Sequence, residues 1–229
     1  MIARLLSSEE MAPEVRRFCF EIPELERFTF VPGQFLSFRE EIDGKQVTRA
    51  YSIASEPDGN RFELCLNRVK EGRLSPHLFS LKPGQTIRCE GPYGVFVARE
   101  PLENILLVAT GTGVAPFRSM LRAGLPARAK GQCTLLLGAR HEESILYRAE
   151  FEAMAKRYSN FRFLPTLTQP PEGWTGLRGR VQAHLDGLLA ESSPIHVYLC
   201  GMKAMVDDLR QRLKNAGVDR NRIVFEKYD

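Results

Sequence analysis

The chain has 229 residues, of which 43% are hydrophobic and 26% charged, and a formal net charge of +4. This is ordinary globular composition, with enough length for two small domains that each bury a core. The basic residues form no tract, which excludes nucleic acid as a favoured partner, and no run approaches the ~20 apolar residues of a membrane span. A mildly basic face can still dock an acidic protein.

The first 99 residues read as one domain of short strands. In "RFELCLNRV", Phe62, Leu64 and Leu66 alternate with Arg61, Glu63, Cys65 and Asn67, the period of a half-buried strand. "QFLSF", "QVTRAYSI" and "QTIRCEG" read as further strands, punctuated by "VPGQ", "IDGK", "EPDGN" and "KPGQ" as turns. Short strands at this spacing predict an antiparallel barrel or sandwich. The N-terminal stretch "MIARLLSSEEMAPE" turns acidic too early for a signal peptide.

From residue 100 to 229 the rhythm changes to apolar strands alternating with helices. "NILLVA", "CTLLLG", "FRFLP", "IHVYLC" and "RIVFE" are the strands. Helical spacing follows in Tyr147, Phe151, Met154 and Tyr158, then in Val181, Leu185, Leu188 and Leu189, then in Val206, Leu209, Leu213 and Ala216, with Gly217 as a C-cap. The expectation is a doubly wound α/β domain with a five-stranded parallel sheet.

Four stretches carry chemistry. "LLVATGTGVAPF" ends a buried strand, turns at Gly111 and Gly113 and enters a helix near Ala115; such a turn seats a pyrophosphate, although a plain strand-to-helix turn has the same form. "YLCGMKAM" repeats that grammar at the fourth strand, which neighbours the first in a sheet of order 3-2-1-4-5, so the two loops are expected side by side. "EGRLSPHLF" joins Gly72 and Arg73 to Ser75 and Pro76, read as N-cap and first helical residue. In "TRAYSIASEP", Arg49, Tyr51 and Ile53 share a strand face, and an arginine beside an aromatic ring suits a ligand with both a phosphate and a flat ring. The five cysteines, Cys19, Cys65, Cys89, Cys133 and Cys200, are single and widely spaced, and the four histidines form no pair at helical spacing. No metal site is expected, and a reducing cytoplasm fits best.

In order, "RAYS", "GRLS", "GPYG", "GTGVAPF", "CGM" and the tail "FEKYD" resemble the ferredoxin–NADP reductase family of flavoproteins over nearly the whole chain. The resemblance implies an antiparallel FAD-binding barrel followed by an NAD(P)-binding α/β domain. It implies that Arg49 pairs with the flavin pyrophosphate beside Ala50, that Tyr51 stacks on the isoalloxazine, and that Ser52 lies near N5. Gly72, Arg73, Leu74 and Ser75 would hold the FAD pyrophosphate. Thr110, Gly111, Thr112, Gly113 and Pro116 would hold that of NAD(P)H, with Cys200, Gly201 and Met202 abutting the nicotinamide. Glu226 matches the family's acidic C-terminal residue, and Tyr228 would cover the other flavin face. Ser52, Cys200 and Glu226 are the expected catalytic residues.

The chain lacks the cysteines of the relatives' iron–sulfur domains, which implies a stand-alone reductase. Its acceptor would be ferredoxin, flavodoxin, an oxygenase component or, as an alternative, free flavin. Where NADPH-using relatives often place a Ser/Thr-Arg pair, Thr168 is followed by Gln169; this favours NADH, with Arg140, Arg178 and Arg180 as nearby substitutes. The competing class is a non-catalytic nucleotide-binding docking module, which intact "RAYS" argues against.

Overall fold

The first two strands are ones that the chain's composition conceals. β1 (Ile2–Ala12) pairs antiparallel with β2 (Val15–Glu21) across a turn in which Glu14 takes φ 60°. Register shifts between Leu5 and Ser7, and again between Glu10 and Ala12, break the period of two in β1. Only Ala3, Leu5 and Ala12 of that strand are buried.

The computed structural model describes residues 1–191 and 194–228, which group into two units. In the first unit, Met1–Val97 with Ala115–Ala123, β3 (Phe35–Ile42) and β4 (Lys45–Ser52) form a hairpin whose turn places Asp43 and Gly44 at positive φ. That is the turn chemistry promised by "IDGK". β5 (Arg61–Asn67), helix α1 (Leu74–Ser80) and β6 (Thr86–Tyr93) complete the Met1–Val97 part. The strands make one six-stranded antiparallel sheet of order β4-β3-β6-β1-β2-β5. Its interior is aromatic: Phe20 stacks on Phe62 at 5.5 Å between centroids and meets the edge of Phe38 at 5.3 Å.

Helix α2 (Ala115–Arg122) also belongs to this unit. Phe117 packs on Phe96 at 5.6 Å. The Met120 methyl lies so close to Gly33 that a Cβ there would meet it at 2.5 Å.

The second unit is built on a sheet whose pairings are all parallel: β7 (Asn104–Thr110), β8 (Cys133–Ala139), β9 (Phe161–Leu167), β10 (Leu177–Arg178), β11 (Ile195–Met202) and β12 (Ile223–Tyr228). The order is β10-β9-β8-β7-β11-β12. The five expected strands are present in the order 3-2-1-4-5. A two-residue sixth, β10, runs along β9, where Gly179 N–H donates to Leu167 O at 2.8 Å. Two residues are too few for any periodicity to announce. Ile105, Leu106, Leu107, Val108 and Ala109 are all buried, because helices cover both faces.

The helices of this unit are α3 (Leu125–Arg128), α4 (Arg148–Arg157), α5 (Leu185–Ala190) and α6 (Lys203–Asn215). Gly217, at φ 78°, closes α6 while Val218 N–H donates to Leu213 O at 3.0 Å, a glycine C-cap as expected.

Two outcomes follow from these cores. Phe20→Ala should lower stability by about 3–5 kcal/mol, read from the urea midpoint. Burial pushes the Cys133 thiol up to about 12 and the Cys89 thiol up to about 11 from an ordinary 9.0. Above pH 9 the unfolded chain therefore releases protons that the folded one keeps, so this contribution is intact at neutral pH and lost as pH rises. The urea midpoint should fall between pH 7 and pH 10, and fall less in Cys133→Ala; equal falls would contradict it.

Candidate functional site

In the first unit, α1 packs against β4, which brings "RAYS" and "GRLS" together. Leu36 lies opposite Tyr51 and Phe38 opposite Arg49 across the β3–β4 pairing, so Tyr51 and Arg49 share one strand face. Tyr51 is half-buried and meets Phe38 edge-on at 5.8 Å. Burial drives its phenol up to about 12, against a smaller pull from the Arg49 charge. It is a neutral ring with a polar tip. Arg49 is exposed and turned back on its own strand, donating to Thr48 O at 2.8 Å. Ala50 is exposed and Ser52 buried. Arg73 is exposed, and among the described residues no carboxylate pairs with either cation. An uncommitted cation on each of two adjacent elements, beside a half-buried ring, fits a ligand with a pyrophosphate and a flat ring system.

One reading of this region needs correcting. Ser75 is not the N-cap of α1. The cap position is Arg73, with no side-chain capping bond, and Leu74 is the first helical residue. The Ser75 hydroxyl instead accepts from Val69 N–H at 3.0 Å and ties down the loop that leads in. Leu74 is buried and anchors the turn, whereas the sequence pattern Ser-Pro weighs only the local preference.

In the second unit the two glycine loops stand side by side, as expected from the order of the sheet. β7 and β11 are neighbours, with Cys200 opposite Ala109. Gly111 takes φ 52° and opens a short 3₁₀ turn with Thr112, Gly113 and Val114, directly before Pro116 in α2. A Cβ on Gly113 would lie 2.4 Å from Cys200 O, and one on Gly201, at φ 143°, would lie 2.5 Å from Thr110 Oγ1. The two loops therefore touch backbone to backbone, and glycine is required for contact. They sit where the strand order reverses, the crevice in which such sheets bind ligands. Thr110 Oγ1 donates to Met205 Sδ at 3.5 Å. Met202 is 63% exposed.

Cys200 is wholly buried. Burial first, then the Glu226 carboxylate, push its thiol well above the ordinary value, against a hydrogen bond from Tyr228 that pulls it down. It is a neutral thiol, not a nucleophile. Glu226 and Tyr228 lie in β12, opposite Cys200 and Met202. Tyr228 is thus a strand residue. Toward the other edge of the sheet, after β8 and β9, Thr168 N–H donates to Ala139 O at 3.1 Å and Gln169 N–H to Arg140 O at 2.8 Å. Arg140 and Arg180 are exposed and make no ion pair among the described residues, while Arg178 donates to Trp174 O at 2.8 Å.

The sequence reading missed Arg118, Ser119 and Arg122 of α2, which reach residues 54–56. An arginine at a core-facing position of a helix is the signal that marks it.

Residues 2–97 match the oxidoreductase FAD-binding domain family and residues 107–211 the oxidoreductase NAD-binding domain family. Ferredoxin–NADP reductase B of Sorangium cellulosum is 42% identical over 238 residues, covering 99% of this chain and 97% of that protein. NADH-cytochrome b5 reductase 1 of Laccaria bicolor is 35% identical over 220 residues, covering 92% and 71%. Among solved structures, a ferredoxin NADP+ reductase from Neisseria gonorrhoeae with bound FAD and NADP has a TM-score of 0.85 at 23% identity, covering 99% of this chain and 98% of that one. At that identity the likeness is one of fold.

The two loop glycines make a paired test. Gly113→Ala drives a Cβ into backbone atoms and should cost about 1–3 kcal/mol. Gly111→Ala meets nothing within 4 Å and should cost only the left-handed backbone term, about 1 kcal/mol. Thermal unfolding ranks the two, and Gly113→Ala should lose more nucleotide affinity than Gly111→Ala.

Proposed function

The chain belongs to the ferredoxin–NADP reductase family of FAD- and NAD-binding oxidoreductases, and on that premise we propose which of its residues hold the cofactors and where its electrons go. It is an FAD-dependent NAD(P)H reductase. A flavin bound here would supply the redox chemistry between reduced nicotinamide and the electron acceptor. The polypeptide binds, orients and shields.

Arg49 and Arg73 pair with the FAD pyrophosphate, with Ala50, Gly72, Leu74 and Ser75 supplying the close backbone, and Tyr51 stacks on the flavin ring. Ser52 presents its hydroxyl near N5. The observation that carries this assignment is the pair of uncommitted cations on α1 and β4, beside the half-buried Tyr51 ring. In the second unit, Thr110, Gly111, Thr112 and Gly113 hold the NAD(P)H pyrophosphate, with Pro116 following them in the chain. Cys200, Gly201 and Met202 form the wall against the nicotinamide. Cys200 acts there as a neutral thiol, Glu226 as the acidic residue beside it, and Tyr228 as the ring that yields to the nicotinamide.

Thr168-Gln169 at the end of β9 lacks the arginine that would grip a 2′-phosphate, which favours NADH. The exposed cations Arg140 and Arg180 favour NADPH as the second reading. The acceptor is a redox protein: ferredoxin first, since a ferredoxin–NADP reductase is similar to this chain over nearly its whole length, with flavodoxin or an oxygenase component as alternatives. The five cysteines form no disulfide among the described residues, which supports a reducing cytoplasm, and no helix among the described residues is long and apolar enough to cross a membrane.

The visible spectrum before and after anaerobic NADH or NADPH tests this reading. Flavin bands that bleach are expected, and the coenzyme with the higher kcat/KM identifies the preference. A colourless protein that oxidises nucleotide only with added riboflavin or FMN would make it a free-flavin reductase. One that takes up no FAD and turns over nothing would make it a docking module. Arg49→Ala should lose flavin. Cys200→Ala should keep flavin and slow its reduction by up to about a hundredfold, on the scale of a small misplacement at a reacting centre.

A further inference from the structure

We propose that Arg118 is a positioning residue for the flavin: its guanidinium closes the barrel at the end of "RAYS" and sets that stretch's grip on the ligand. The inference rests on the flavin assignment above.

The antiparallel sheet starts at β4 and ends at β5, so these are the two edges that must meet. They meet over a short seam. Ile53 and Leu64 form an isolated bridge, Ala54 N–H donates to Glu63 O at 2.7 Å, and Glu63 N–H donates to Ser55 Oγ at 3.0 Å. Arg118 spans this seam. The same nitrogen, Nη1, donates to Ala54 O at 2.8 Å on the β4 side and to Glu63 Oε2 at 2.6 Å on the β5 side. Ser119 Oγ donates to Ser55 O at 2.6 Å, and Arg122 pairs with Glu56. Side chains of α2 thus hold residues 54, 55 and 56, beginning two positions after Ser52.

Arg118 is 1% exposed. Its partner Glu63 keeps 24% of its side chain exposed, and an ion pair with one buried member is a poor device for stability, because desolvating the buried charge offsets much of the attraction. It is a good device for direction, since planar charge-assisted bonds fix where a carbonyl and a carboxylate point. The place where direction matters here is the strand end that carries Tyr51 and Ser52.

The test pairs Arg118→Met with Glu63→Gln, so that no partly buried carboxylate is left unpaired. FAD titration of flavin-depleted protein, thermal unfolding and the rate of flavin reduction by NAD(P)H are measured. The double variant should unfold near the wild-type temperature, bind FAD about tenfold more weakly and reduce it more slowly, the scale of a charged hydrogen bond. Arg118→Lys, which keeps the charge but not the fork, should fall between the two. Wild-type FAD affinity and reduction rate in the double variant would overturn the proposal. If that variant fails to fold, wild-type FAD affinity in Arg118→Lys would overturn it instead. Arg49→Ala is run alongside. If it loses FAD while the Arg118 variants do not, the clamp alone fails; if it binds FAD as wild type does, the flavin assignment itself fails.

Discussion

A barrel made from one sheet has two edges, and an unmet edge is a row of unsatisfied amides and carbonyls. Here β4 and β5 are those edges. Their direct pairing is brief, and side chains from α2 finish it. Much of the first unit follows from that closure. It completes the enclosure of the aromatic interior around Phe20, Phe38 and Phe62. It also brings the end of β4 to a defined position with Tyr51 half-buried against Phe38. A ring so placed is stiff and neutral, which suits it to stack on a flat ligand.

The second unit depends on a different constraint, close approach of backbones. A sheet covered on both faces leaves its strand ends as the place for a ligand. At the reversal of strand order, Gly113 lies against Cys200 and Gly201 against Thr110, with no room for a side chain. The same closeness encloses the Cys200 thiol, and enclosure keeps it protonated. Its chemical character is therefore set by packing: it can shape a pocket, but it cannot attack.

Charge divides the surface in a useful way. Arg4, Arg17 and Arg39 are each paired with a glutamate; such exposed pairs contribute little to stability and leave little charge for a ligand. Among the described residues Arg49 and Arg73 are not so paired, and neither are Arg140 and Arg180. The first two lie beside glycine and tyrosine motifs, which distinguishes them from scattered surface cations. The other two lie on the second unit, Arg140 just after β8 and Arg180 just after β10.

By itself the sequence determined whatever short-range physics controls. The apolar runs of β7, β8 and β11 declare a doubly covered parallel sheet, "IDGK" declares its hairpin, and Gly217 its C-cap. The ordered motifs were enough to name the family and the two cofactor classes. Tertiary structure decided the rest. β1 lost its period to two register shifts, so its pairing was not legible. β10 was too short to have a period. Ser75 left its expected capping role because burial of Leu74 fixed where the helix starts. Arg118 reads in the sequence as one more cation. Its partners lie 64 and 55 residues away along the chain, and only the closed barrel brings them within hydrogen-bond reach.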